Sequence, residues 1–599
     1  EDGLAGISDI WQDLCFGLAF WNGRDSHLKE RLYGLSGHQG NHGEDVKEYY
    51  WYRDATPSHS WLRWRYRYPQ AAFPYEDLIE TNAQRDRSQP EYELMDTGVF
   101  DEDRYWNIDV DYAKADPTDI YIRIRITNAG PEADTIHVLP QLWFRDTWSW
   151  GRRHRRPEVR HVSRPNGSGT IVAEHWRAGL YHLDAASGPN GHPTALFCEN
   201  ASNNPALWGD AAQATTPFPK DGINDHVLHN LASVNPSLEG TKAAWWYEMS
   251  VAPGETVELR LRLWSPTEGD VADPAWPTTP FEDLMAEREA EADEFYAAIA
   301  PAERSSQEVA VMRQAFAGMI WTKQFYRYDV KLWLEGDPQE PPPPPGHKHI
   351  RNQNWRHFDA YDVLSMPDAW EYPWFAAWDL AFHTVVFAHV DPEYAKYQLA
   401  VMLREWYMHP NGAIPAYEWS FDDRNPPVHA WAALRVFEID GARDFQFLQS
   451  VFHKLLINFT WWVNRVDAQG NNVFEGGFLG LDNIGPIDRT HVPAGCRIEQ
   501  ADGTAWMAFY CLQMLRIAMR LAAKDPAYRS MMLKFLEHFS GITDGVGDAG
   551  MWDPSDGFFY DQLVRPDGEK VPLRVRSIVG VIPVLAAAYI ESDNEVYVR

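Results

Sequence analysis

The chain has 599 residues, more than one ordinary domain needs, and 45% of them are hydrophobic, as in globular proteins that bury a full core. Its 54 Lys and Arg residues against 86 Asp and Glu residues give a net charge of −32, which argues against nucleic acid or anionic lipid as a partner. No apolar run approaches the roughly 20 residues of a membrane span, so we expect neutral or cationic ligands and no membrane partner.

The first 270 residues carry patterns typical of β-strands. Apolar and polar side chains alternate in SWLRWRYRYP (60–69), DIYIRIRITNAG (119–130) and ETVELRLRLWSP (255–266). A period of two indicates strands that are buried on one face only. Several such strands with Pro and Gly turns between them predict an antiparallel β-sandwich over 1–270.

A change of pattern follows. Residues 271–304 combine a Pro-rich linker with an acidic connecting helix, FEDLMAEREAEADEFYAAIA. From residue 305 the periodicity is helical, and the fold class predicted is an α+β multidomain protein whose 305–599 segment is an α/α toroid with a cleft built by its loops. The predicted helices are near 305–328, 375–390, 392–408, 427–438, 442–466, 503–523, 526–541 and 578–590.

The segment WEYPWFAAWDLAFH (370–383) places Asp379 among aromatic residues. Pro373 suits the first turn of a helix, which would put Asp379 in the second turn and His383 on the same face. The aromatic neighbours expected to exclude water are Trp374, Phe375 and Trp378. A carboxyl group in such surroundings has a raised pKa and can act as a general acid. The alternative is a buried Asp neutralised by an Arg or a His.

A loop before the predicted helix at 427 combines acids, a cation and aromatic rings, which suits a polyhydroxylated ligand. Its residues are Tyr417, Glu418, Trp419, Asp422, Asp423 and Arg424, ahead of Pro426 and Pro427. A solvated acidic loop would have the same composition, and both interpretations stand.

A third polar segment precedes the helix expected near Thr504. It contributes Asp482, Asn483, Asp488, Arg489, Gln500 and Asp502. Asp502 or Thr504 could simply cap the helix. These oxygens could also hold a structural calcium ion, although their spacing matches no EF-hand loop.

The composition and the missing motifs narrow the chemistry further. The four cysteines, at 15, 198, 496 and 511, form no zinc or redox motif, so reduced thiols are expected. Walker A, G-x-S-x-G and H-E-x-x-H motifs are also missing from the sequence. The 28 Trp residues can fill a core, but indole faces also suit sugar-binding clefts.

The motifs WEYPWFAAWDLAFH, NPPVHAWA, GLDNIGPIDR and QADGTAWMAFY resemble those of glycoside hydrolase family 63. GNHGEDVKEYY, ELMDTGVFDEDRYW and LPQLWFRDTWSWG are similar to the N-terminal region of its larger bacterial members. This resemblance implies a β-sandwich followed by an (α/α)6 barrel. It also implies inverting hydrolysis of an α-glucosidic bond in an oligosaccharide or small α-glucoside, without a required cofactor.

The resemblance also assigns roles to residues. It implies that the Asp of the W-D pair, Asp379, is the general acid. The Pro-Pro loop with Asn425, the Asp482–Asn483 segment, and Gln500 with Asp502 would line the sugar subsites. Few cysteines and bacterial-type motifs favour the cytoplasm.

One departure from the family pattern concerns the general base. An (α/α)6 barrel has twelve helices, about eight are predicted here, and the family's later Glu-bearing motif is not found in the sequence. We therefore expect a fragment, cut at both ends, whose base lies elsewhere. An inverting enzyme needs a second carboxylate roughly 6.5–9.5 Å from the acid. Two alternatives stand: Glu418, Asp482 or Asp502 serves as base, or the chain binds carbohydrate without catalysis.

Overall fold

A computed structural model describes residues 3–32, 47–86, 88–150, 155–164, 169–209, 212–266, 279–338, 340–349, 353–366, 375–416, 424–464, 470–475, 487–489 and 492–588. The chain forms two compact units. The first, called the sandwich unit, comprises Glu1–Phe325, Leu332–Pro345 and Asp368–Pro373. The second, called the helical unit, comprises Tyr326–Lys331, Gly346–Pro367 and Trp374–Arg599.

Two antiparallel sheets dominate the sandwich unit. The five-stranded sheet has the order β1-β2-β7-β13-β11, and the nine-stranded sheet has the order β12-β8-β9-β10-β14-β6-β5-β4-β3. Their strands are β1 (Leu4–Ser8), β2 (Leu14–Trp21), β3 (Tyr49–Ala55), β4 (Trp61–Pro69), β5 (Tyr105–Asp116), β6 (Asp119–Asn128), β7 (Asp134–Phe144), β8 (Glu158–Ser163), β9 (Gly169–His175), β10 (Gly179–Ala185), β11 (Thr194–Cys198), β12 (Glu239–Gly240), β13 (Lys242–Val251) and β14 (Thr256–Trp264). Short helices α1 (Tyr75–Gln84), α2 (Asn204–Trp208) and α3 (Gly222–His229) connect some of them.

The two sheets pack face to face through the side chains that the alternation predicted to be buried. In β4, Trp64, Tyr66 and Tyr68 are at most 2% exposed. The Tyr66 ring stacks on Phe20 of the opposite sheet at 6.4 Å between centroids. The predicted sandwich is therefore present, with its core between the two sheets.

Helix α4 (Thr279–Ile299) lies on the nine-stranded sheet. Phe281, Met285 and Tyr296 are buried, and Glu289 accepts a 2.7 Å hydrogen bond from Arg63 of β4. The acidic helix thus pairs with the arginines on the outer face of the sheet, and the sandwich unit continues through α5 (Ser306–Trp321) to Phe325. The sequence had placed α4 in a linker and α5 in the next domain.

The helical unit is built mainly from α-helices. Helix α7 packs against α8 and α9, and α11 packs against α9, α10 and α12. Their bounds are α7 (Ala377–Phe387), α8 (Pro392–Val401), α9 (His429–Ile439), α10 (Phe445–Val463), α11 (Ala501–Ala522) and α12 (Arg529–Asp548). The remaining elements of the helical unit are β16 (Asp359–Ser365), β17 (Arg497–Glu499), β18 (Trp552–Asp553), β19 (Phe558–Phe559), β20 (Asp561–Val564) and β21 (Lys570–Leu573). The unit boundaries in the sequence fall within β15 (Lys323–Asp329) and α6 (Val330–Glu335). Closure of these helices into an (α/α)6 toroid stays a prediction.

One predicted helix is wrong. The segment predicted as a helix over 578–590 forms two short 3-10 turns, Ile578–Gly580 and Ile582–Leu585. Pro583 interrupts the segment and has no N–H to donate, which disfavours a continuous α-helix. Within the described ranges, no helix combines the length and apolar character needed to cross a membrane.

Candidate active site

Asp379 lies in the first turn of α7, one turn earlier than predicted. The helix begins at Ala377, and Ala376 is extended with φ −128° and ψ 114°. The residue before it, Phe375, is fully buried and stacks on Phe358 at 5.8 Å between ring centroids. Burial of this ring favours the extended chain at Ala376, so α7 begins two residues after the start predicted near residue 375. Pro373 lies outside the described residues.

A shared carbonyl group joins the start of α7 to the Pro-Pro loop. The Ala416 oxygen accepts a hydrogen bond from the Ala377 N–H at 3.1 Å and a second from the Asn425 Nδ2 at 3.1 Å. Two segments that the sequence marked separately as candidate sugar-binding elements are thus adjacent.

A pocket lies where these segments meet, with an empty volume of about 430 Å³ that includes adjoining solvent space. Five of the predicted site residues line it: Trp378, Arg424, Asn425, Pro426 and Pro427. Other lining residues were not predicted from the sequence, among them His429, Asn458, Trp461, Trp462 and Tyr510. The signals that could have identified them are the His within NPPVHAWA and the Trp pair at the end of α10. Aromatic walls with a few polar groups are typical of small-molecule sites.

The carboxyl group of Asp379 is half-buried, directly after the pocket residue Trp378 in the chain. Burial raises its pKa, and a hydrogen bond from its own backbone N–H opposes this shift more weakly. In the part of the chain that the structure describes, no Lys, Arg or His forms an ion pair with it. This arrangement favours the proton-donor interpretation over a neutralised core Asp.

His383, one turn further along α7, is a neutral side chain. Burial lowers its pKa to about 4. Its Nδ1 is 2.8 Å from the Ser365 hydroxyl oxygen of β16. This hydrogen bond ties α7 to β16, and a role for His383 towards substrate stays a prediction.

Asp502 and Gln500 lie at the start of α11, where both are buried. The Gln500 backbone N–H donates to the Phe474 carbonyl at 3.0 Å. Asp502 accepts a 2.8 Å hydrogen bond from Arg489, whose other terminal nitrogen donates to Asp561 of β20 at 2.6 Å. We call Arg489, Asp502 and Asp561 the α11 ion cluster. Burial and the Asp561 charge raise the pKa of Asp502, while Arg489 lowers it, and the net direction is upward.

The other predicted site residues are distributed as follows. Asp488, next to the buried Arg489, is exposed. Trp374, Tyr417, Glu418, Trp419, Asp423, Asp482 and Asn483 lie outside the described residues. Within the described ranges, no three His, Cys, Asp or Glu side chains are grouped so that they could hold a metal ion. The structural calcium site considered above stays a prediction.

Residues 372–483 match the family model described as "Mannosylglycerate hydrolase MGH1-like glycoside hydrolase domain". The matched segment contains Asp379, the Pro-Pro loop and Trp461. Over this segment the chain is similar to a glycoside hydrolase domain. The resemblance stated from the sequence motifs is confirmed for these residues.

The chain is also similar to one yeast protein and to several solved structures. The protein YMR196W of Saccharomyces cerevisiae is 41% identical over 99% of this chain, which spans 59% of the yeast protein's length. The mannosylglycerate hydrolase of Thermus thermophilus in complex with glucose is 20% identical over 37% of this chain and 67% of its own, with a TM-score of 0.31. A family 92 α-mannosidase from Bacteroides thetaiotaomicron is 11% identical over 76% of this chain and 52% of its own, with a TM-score of 0.33. Structural similarity at this level adds nothing to the assignment.

Proposed function

We propose that this protein hydrolyses an α-glucosidic bond with inversion and that Asp379 is its general acid. The observation that carries the proposal is the combination of a Trp-lined pocket with a half-buried carboxyl group of raised pKa directly after a pocket residue. The match of 372–483 to a glycoside hydrolase domain supports the reaction class.

In this mechanism the sugar occupies the pocket against the indole rings of Trp378, Trp461 and Trp462. Protonated Asp379 gives its proton to the glycosidic oxygen as the bond to the anomeric carbon breaks. A second carboxylate removes a proton from the water that attacks the opposite face of the sugar. The product is then the β-anomer of glucose.

The second carboxylate is proposed to come from the Glu-bearing motif of the family, which the 599 residues do not contain. Glu418 and Asp482 are the alternatives within the chain. Asp502 suits this role less well, since its carboxylate is fully buried and ion-paired to Arg489. A base must reach a water molecule next to the sugar.

The stereochemistry tests the reaction on the full-length natural protein. Proton NMR during hydrolysis of an α-glucoside should show β-glucose first, with the α-anomer growing only through mutarotation. Early α-glucose would refute inversion. Binding of glucosides without any turnover would favour a non-catalytic carbohydrate-binding protein.

The identity of the acid is tested by changing the leaving group. In Asp379→Asn, kcat for an alkyl α-glucoside should fall by about 10²–10⁴. For α-glucosyl fluoride, kcat of the variant should fall far less, because fluoride leaves without protonation. Asp544→Asn changes an exposed carboxylate on α12, outside the predicted site residues, and should leave both rates near wild type.

A competing assignment of the acid follows from the helix start. The first turn of α7 presents N–H groups that favour the ionised form of Asp379, whereas an acid must be protonated. Asp482 lies within the same matched segment. Asp482 is the acid if Asp482→Asn, and not Asp379→Asn, loses activity towards the alkyl α-glucoside while it keeps activity towards α-glucosyl fluoride.

The substrate is tested with a panel. The name of the matched family model includes mannosylglycerate hydrolase, so mannosylglycerate should be assayed beside α-glucosides at equal concentration. A higher kcat/KM for an α-glucoside is expected. A higher kcat/KM for mannosylglycerate would refute the glucosidase assignment. It would not affect the inverting mechanism, which the NMR experiment tests separately.

A further inference from the structure

His429, the first residue of α9, is a polar side chain in the wall of the pocket. It is 6% exposed, and its Nε2 is 2.9 Å from the carbonyl oxygen of Leu399 in the last turn of α8. A carbonyl oxygen only accepts, so Nε2 must carry the proton in this contact. The Leu399 carbonyl is one of the four that a helix end leaves without an intrahelical partner.

The opposite ring nitrogen is therefore an acceptor. With the proton on Nε2, neutral imidazole exposes a lone pair on Nδ1. Within the described residues Nδ1 has no hydrogen-bond partner, while the ring lines the pocket. Burial lowers the pKa of His429 to about 4, so this tautomer persists at neutral pH.

We propose that Nδ1 of His429 accepts a hydrogen bond from one hydroxyl group of the sugar bound in this pocket. The His429 ring is largely buried and lines the same pocket as three indole rings. An analogue without the hydroxyl group would leave Nδ1 without this hydrogen bond, so the loss of the hydroxyl should weaken binding. His429 is then a specificity-determining residue. This inference rests on the proposed sugar ligand but not on hydrolysis.

Two substitutions separate recognition from structure. The amide nitrogen of His429→Gln can still reach the Leu399 carbonyl, whereas the variant lacks an acceptor at the position of Nδ1. His429→Asn places an amide oxygen near Nδ1 and gives up the bond to Leu399. Gln should therefore preserve the melting temperature and weaken binding, and Asn should lower the melting temperature and retain recognition.

The measurement is binding of methyl α-glucoside and its 2-, 3-, 4- and 6-deoxy analogues to the full-length protein, followed by tryptophan fluorescence. Wild type should bind one analogue about 2- to 13-fold more weakly than the parent, the range expected for one neutral hydrogen bond. His429→Gln should bind the parent methyl α-glucoside about as weakly as wild type binds that analogue. It should bind the analogue no more weakly than it binds the parent. His429→Asn should keep the wild-type pattern.

The outcomes are distinguishable from those for the proposed function. If no glycoside is hydrolysed but the deoxy pattern depends on His429, the proposed function fails and the inference stands. If α-glucosides are hydrolysed and His429→Gln discriminates among the analogues as wild type does, the inference is overturned. Equal melting-temperature losses in both variants with unchanged discrimination would assign His429 a structural role only and would also overturn it.

Discussion

Replacing Arg489 with Met should strongly destabilise the helical unit. The side chain is 4% exposed and bridges Asp502 and Asp561, whose side chains are 0% and 8% exposed. Asp561 also accepts the Ala501 N–H at 2.8 Å, so the α11 ion cluster fixes the start of α11 to β20. Without the guanidinium group, two buried carboxyl groups lose their cation.

The expected cost is about 3–5 kcal/mol, the usual result of removing one partner from a buried ion pair. At about 2–4 °C per kcal/mol for a unit of this size, the melting temperature should fall by about 6–20 °C. Thermal unfolding followed by tryptophan fluorescence measures it, because the helical unit contains Trp506 near the cluster on α11 and the pocket residues Trp461 and Trp462.

Two comparisons make this prediction specific. Arg435→Met removes a half-exposed Arg that pairs with Glu438 at 2.9 Å, and should cost less than about 1 kcal/mol. Adding Asp502→Asn and Asp561→Asn to Arg489→Met removes the orphaned charges and should recover part of the loss. If Arg489→Met costs no more than Arg435→Met, the argument from a buried cluster is refuted.

Three further predictions concern single side chains. Burial raises the pKa of Asp379, so the unfolded chain releases this proton at a lower pH than the native protein. The melting temperature of Asp379→Asn relative to wild type should therefore increase as the pH rises above about 4. Burial lowers the pKa of His383 to about 4, so its contribution to stability should disappear as the pH falls from about 6.5 to 4, and His383→Gln should flatten this dependence. Asp111, fully buried, accepts hydrogen bonds from three arginines of the nine-stranded sheet, and Asp111→Asn should destabilise the sandwich unit by about 3 kcal/mol in denaturant unfolding.

Each of these has an outcome that contradicts it. A melting-temperature difference between Asp379→Asn and wild type that is constant with pH would mean that this carboxyl group titrates alike in the native and unfolded states. If the stability of His383→Gln falls with pH as steeply as that of wild type, the loss of stability in acid does not come from His383. Asp134→Asn serves as the control for Asp111→Asn: Asp134 pairs with Arg24 at the surface, so it should cost less than about 1 kcal/mol.

The β-strands were predictable because their signal is local. In β4 the alternation of Leu62, Trp64, Tyr66 and Tyr68 with arginines places one row of side chains in the core whatever the partner strands are. The pairing order of fourteen strands in two sheets had no such signal. It depends on which apolar faces meet, and that depends on contacts between residues far apart in the chain.

The helical segments were predicted less evenly. The helical pattern located α9, α10 and α11 within a few residues of their observed bounds. It also located α7, but the turn that contains Asp379 was misassigned, because burial of Phe375 against Phe358 cannot be read from neighbouring residues. It identified α4 as a helix but assigned it to a linker, because the partners of this acidic helix are arginines on strands more than a hundred residues earlier, such as Arg63.

For the candidate site, the sequence by itself determined the residue types and the chemistry they can perform. It identified the Asp379 segment, the Pro-Pro loop and the family 63 motifs, because each is a local run of residues. Only the tertiary structure decided which of them share a surface. The Ala416 carbonyl brings two of these segments together, and the bond from His429 to Leu399 leaves a lone pair for a ligand. The ion pair with Arg489 holds Asp502 in the protein interior. These outcomes depend on hydrogen bonds between distant residues, and no local pattern encodes which donor meets which acceptor.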